Sequence, residues 1–96
     1  MLRRAAIVAG LAVAALLPTA APAYPPITCG RTSVHGHAYV VRTHGPNCSF
    51  AIKWARNYIA HRKGPTGFTC RAFGTSVPAD CIRKGKKNAY FLATKP

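Results

Sequence analysis

The sequence predicts an α+β domain: one amphipathic helix packed on a small three- to four-stranded sheet, in the order β-α-β-β-β. Three observations carry this. A single segment, Cys48 to about Arg62, has helical periodicity with its own start and stop signals. The segments around it are rich in Val, Ile, Thr, Tyr and Phe and are broken by Gly and Pro, as strands are. Four cysteines in a chain of 96 residues supply the cross-links that so small a body needs.

The first 23 residues read as a secretory signal peptide. Arg3 and Arg4 form its positive start, and Ala5 to Leu17 is an uncharged apolar run ended by Pro18. Ala21-Pro22-Ala23 has the small-x-small form of a cleavage site. The run falls short of the ~20 residues of a membrane-spanning helix. Cleavage after Ala23 is therefore expected, leaving one secreted domain over 24–96 that does not span the membrane.

In the mature chain, Tyr24-Pro25-Pro26 is an extended leader, since each Pro disfavours helix at and before itself. A first strand is expected between Val34 and Thr43, centred on His37-Ala38-Tyr39-Val40-Val41, and Gly45-Pro46 ends it. Asn47 then caps the helix. At 100° per residue, Cys48, Ala51, Ile52, Ala55, Tyr58 and Ile59 share a core-facing stripe, with Lys53, Arg56 and Lys63 opposite. Arg62-Lys63 suit the negative end of the helix dipole, Gly64 is the expected terminal cap, and Pro65 blocks continuation. Three strands should follow: Gly67 to Phe73, Asp80 to Lys84 after a turn at Gly74–Pro78, and Ala89 to Thr94. The last two form a hairpin through Gly85-Lys86-Lys87-Asn88.

Four cysteines allow three pairings. A helix of ~15 residues runs back ~22 Å, which brings the start of the second strand near that of the first. This geometry favours Cys29–Cys70 and Cys48–Cys81. The alternative is Cys29–Cys48 with Cys70–Cys81 across a hairpin. No C-x-x-C pair suggests a zinc site.

The segments Gly45-Pro46-Asn47-Cys48-Ser49-Phe50-Ala51, Gly67-Phe68-Thr69-Cys70 and Cys81-Ile82-Arg83-Lys84-Gly85-Lys86-Lys87 together resemble a known pattern. It is that of small, exported, cationic, cysteine-stapled proteins of GC-rich Gram-positive (actinobacterial) bacteria, with a G-x-x-C-x-x-A helix start, a G-[WF]-x-C strand and a late Cys. The resemblance covers roughly residues 29–93. It implies the fold and export; the set shares no agreed catalytic residues, so it implies no activity.

Charge excludes more than it assigns. Fourteen Lys+Arg stand against one carboxylate, Asp80, for a formal charge of +13. Losing Arg3 and Arg4 with the leader leaves twelve cations against one anion, or +11. Chemistry that needs paired carboxylates is excluded. A field of this strength attracts anionic polymers, the cell envelope or nucleic acid. The leading expectation is thus a non-enzymatic, monomeric binding module for anionic polymers or surfaces, without a cofactor.

The densest cationic site is the turn carrying Arg83, Lys84, Lys86 and Lys87, with Lys53 and Arg56 on the helix as a second, more dilute candidate. Phe50, Trp54 and His61 mark a helix flank about 120° from the core stripe. That flank would stack on bases or sugars, or serve a protein-binding effector or inhibitor as an aromatic anchor. His35 and His37 are weak metal candidates, lacking a third ligand. A His-dependent RNase-like toxin is a further reading that nothing in the spacing demands. Asp80 is expected at a turn, ionised and beside an Arg or Lys.

Overall fold

The computed structural model describes residues 24–96; the signal-peptide reading lies outside them. The chain forms strands β1 (Ile27–Val34) and β2 (His37–His44), helix α1 (Cys48–His61), then strands β3 (Phe68–Phe73), β4 (Val77–Arg83) and β5 (Tyr90–Thr94). All five strands join one antiparallel sheet in the order β1-β2-β5-β4-β3. Among the described residues the fold is α+β, with one helix on one face of the sheet and two disulfides.

The described residues hold five strands, because the first predicted strand is the second half of a hairpin. Val34 pairs with His37 across a two-residue turn, His35 (φ 52°) and Gly36 (φ 82°). Positive φ at both central residues matches the right-handed twist of the flanking strands, and His tolerates that conformation better than most side chains. β1 is an edge strand with half of its residues exposed and one buried, so it lacks the alternation by which half-buried strands announce themselves.

α1 begins as its sequence dictates. Asn47 is extended (φ −75°, ψ 165°), and its side chain accepts from the Phe50 amide at 2.8 Å. Ala51 and Ala55 are fully buried, while Ile52, Tyr58 and Ile59 pack partly buried against the core. The end differs from expectation. Arg62, not Gly64, takes the left-handed cap position (φ 59°, ψ 32°), with its amide donating to Tyr58 O at 2.8 Å. Gly64 is needed for another reason: a Cβ there would overlap Cys70 Sγ. The glycine clears the path of a disulfide.

Alternation along the strands builds the core. Val41 and Thr43 on β2, Phe91 and Ala93 on β5, and Ala79 and Cys81 on β4 face the helix and are buried. Thr43 is the one buried polar residue among those described, and its hydroxyl lies 2.9 Å from Pro46 O and 3.2 Å from Tyr90 O. That bond pins the β2–α1 connection to the sheet.

The disulfides are Cys29–Cys48 and Cys70–Cys81, which corrects the favoured pairing and selects the alternative. Cys29 lies on β1 and Cys70 on β3, the two opposite edges of the sheet. Four strand spacings, ~19 Å, separate those edges, far beyond the reach of a disulfide. Cys70 and Cys81 instead sit directly opposite in register, with Cα atoms 4.0 Å apart. Cys29–Cys48 ties the start of α1 to the β1 edge.

Candidate functional site

A depression of about 660 Å³ opens where three connections meet. One wall is the β2–α1 connection, His44 to Asn47; the other is the β4–β5 connection, from Arg83 through Lys86 to Ala89. Phe50 and Phe68 form an aromatic floor. Gly45 lets the walls approach: a Cβ there would stand 3.1 Å from Ala89 Cβ. His44 Nδ1 contacts Asn88 O, joining the walls a second time.

The cationic wall is held by backbone bonds. Arg83 to Lys86 form a turn closed by Lys86 N–H to Arg83 O (3.2 Å), with Gly85 at φ 74° as its third residue. That is a position where glycine avoids a steric cost. A second turn follows, closed by Ala89 N–H to Lys86 O (3.0 Å), and Lys84 N–H reaches Gly67 O (2.8 Å). Backbone amides of α1 begin at the same end, and its first turn carries no acidic residue.

The predicted site residues separate into three groups. Arg83, Lys86 and Phe50 line the cleft. Lys84 and Lys87 line a smaller depression of about 240 Å³ on the other face of the sheet, with Arg71, Thr69 and Ile82. Lys53, Arg56 and His61 lie on a groove of about 320 Å³ between α1 and the end of β1, where Arg56 donates to Thr32 Oγ1 at 3.1 Å. Helix and turn cations therefore do not form one patch.

Phe50, Trp54 and His61 do not form one open aromatic edge. Phe50 is half-buried, with ring centroids 5.7 Å from Phe68 and 6.0 Å, edge-on, from Phe91. Trp54 packs against the core beneath Lys53, whose Nζ is 5.3 Å from its ring. His61 is exposed in the other groove. His35 occupies a turn and His37 begins β2, so the two do not share one face of an extended segment. No group of three or more His, Cys, Asp or Glu able to hold a metal occurs among the described residues.

Asp80 differs from expectation in its place but has the expected Arg beside it. It lies within β4, not at a turn, directly across from Arg71 on β3 and Leu92 on β5. Alternation puts it on the sheet face away from α1. Burial raises its pKa above the ordinary carboxylate value, and the Arg71 charge opposes that rise. Burial likewise raises the Tyr90 hydroxyl, with a further push from the Asp80 charge. Sequence reasoning missed His44, Asn47, Thr66 and Phe68 as cleft residues. Asn47 had a signal in its capping role and Phe68 one as the aromatic of the Gly67–Cys70 segment; His44 joins them through the sheet, and Thr66 from the α1–β3 connection. Among the described residues, no helix is long and apolar enough to cross a membrane. Comparison with protein-family models, with curated proteins and with solved structures gives no match for this chain.

Proposed function

We propose that the protein is a secreted, disulfide-stabilised binding module for anionic polymers or surfaces, with the 660 Å³ cleft as its contact site. One observation carries the reading. Arg83 and Lys86 converge on an aromatic-floored cleft at the start of α1, while the chain's single carboxylate faces the opposite side of the sheet. An anion in the cleft would gain from both cations and from the nearby helix end, without a competing negative charge.

Binding of a polyanion such as dextran sulfate, followed by calorimetry over a salt series, tests this. Affinity should fall linearly on a log–log plot, and Arg83→Gln/Lys86→Gln should flatten the slope. No binding at low salt, or a slope the double variant leaves intact, would sink the proposal. The protein-binding effector reading predicts a salt-insensitive contact centred on Phe50 and Trp54. Trp54 packs against the core beneath Lys53, which gives that reading less support. Overnight incubation with RNA, comparing the parent with His44→Ala, tests the RNase-like reading, since His44 is the imidazole that lines the cleft. Mass spectrometry of the exported protein should find a chain that starts at Tyr24 without free thiols.

A further inference from the structure

The cations of the 83–87 turn face two ways. Arg83 and Lys86 line the cleft on the helix side, Lys84 and Lys87 line the depression on the other side, and Arg83 borders both. Strand alternation explains the division: Arg83 pairs with Phe68, whose ring is on the helix side, whereas Ile82 pairs with Thr69 on the open face. Arg83 forms the ridge between the two depressions, and the ridge continues at Gly85, which lines the second beside Lys86 of the first and presents backbone alone. Gly85 has no side chain, and beyond its two chain neighbours no atom lies within 4 Å of where a Cβ would sit. The hydrogen bonds of both turns hold this ridge in place.

We propose that the ligand is one flexible, single-stranded nucleic acid that crosses the ridge at Gly85 and sets phosphates in both depressions. This rests on the polyanion reading above and narrows it. A rigid duplex or a bilayer meets one side of the sheet at a time, and a small anion fills one depression. Only a flexible strand bends over the ridge and engages Arg83 and Lys86 on one side, Lys84 and Lys87 on the other. The floor of Phe50 and Phe68 favours a strand that carries bases, because a base presents a flat π-face to stack on an aromatic ring. A strand of phosphodiesters without bases would leave that floor uncovered.

Fluorescence anisotropy with labelled oligothymidylates tests the proposal. The probes are a single strand of about 12 nucleotides, within the usual site size, one of about 3, a duplex of the longer length and an abasic strand of that length. The long single strand should bind at least about tenfold more tightly than the short one, the duplex or the abasic strand. For four cations the log–log salt slope should be about −2.8, at ~0.7 per phosphate contact. Arg83→Gln/Lys86→Gln and Lys84→Gln/Lys87→Gln should each remove about half of that slope, whereas Lys53→Gln/Arg56→Gln should leave it unchanged. All six side chains are exposed, so the variants should keep the parent's circular dichroism. Duplex binding as tight as the single strand overturns the crossing. So does a slope that Lys84→Gln/Lys87→Gln leaves intact, and abasic binding equal to oligothymidylate overturns the role of the bases. In these three cases polyanion binding itself still stands; no binding to any probe overturns both.

Discussion

Gly64 and Asp80 show how single positions set the stability of this molecule. The Cβ of a Gly64→Ala variant would overlap Cys70 Sγ, and overpacking of this kind costs about 1–3 kcal/mol. Its melting temperature should fall by roughly 5–20 °C, at ~4–8 °C per kcal/mol for a domain of this size. In a Cys70→Ser/Cys81→Ser background the same substitution should cost much less, because the obstructing sulfur pair is gone. Asp80 acts through protons. Its folded-state pKa is raised, so between the ordinary value of 3.8 and that raised value the folded state holds more protons than the unfolded one. Stability from this group is present at lower pH and is lost as pH rises through the folded pKa. Asp80→Asn should therefore gain in melting temperature relative to the parent as pH rises from about 3.8 into the neutral range. A constant difference across that window would exclude the linkage.

The elements were unequally legible, and the reasons are physical. α1 could be read because cap, stripe and stop fall within one short segment, and local signals decide all three. Asn47→Ala should cost about 1 kcal/mol, measurable by denaturant unfolding, since it strips the Phe50 amide of its acceptor. β1 could not be read: Thr28-Cys29-Gly30-Arg31-Thr32-Ser33 lies at an edge, exposed on much of its length and bulged between Thr28 and Gly30. Its hairpin turn is His-Gly, where Asn-Gly would have been a plain signal. His35→Asn should thus raise the melting temperature modestly, and a drop would mean that His35 has another role. The start of β4 was hidden by Pro78, tolerated there because the facing β3 register shifts between Arg71 and Phe73. Missing β1 left Cys29 ahead of the first strand, so the pairing inferred from the helix running back along the sheet failed: Cys29 and Cys70 lie on opposite edges. The basic turn was visible as charge density. Its division between two faces was not, because that depends on which β3 and β5 residues stand beside it.

At the scale of the whole molecule, the described 73 residues can be expected to hold only about 4–11 kcal/mol of stability. The buried set is small, with Ala51, Ala55, Ala79 and Ala93 beside Val41 and Phe91. In the chain-entropy model, loops of 19 and 11 residue separation contribute about 3 kcal/mol each. Together they match much of the total. Either pair changed to Ser should lower the melting temperature by more than 10 °C at these magnitudes, and reduction of both should unfold the domain. A cooperative melt retained in strong reductant would show that the core carries more than its size suggests.

The two covalent loops lie one after the other along the chain, 29–48 and then 70–81, without interlacing. A chain delivered amino end first presents Cys29 and Cys48 together before Cys70 or Cys81 has emerged. Every mispaired arrangement joins a cysteine of the first loop to one of the second, so it can arise only after the native first bond has had time to close. Oxidation in order of arrival therefore yields the right connectivity without reshuffling. A simple thiol oxidant should serve during synthesis, whereas refolding of the full-length reduced chain should pass through scrambled isomers.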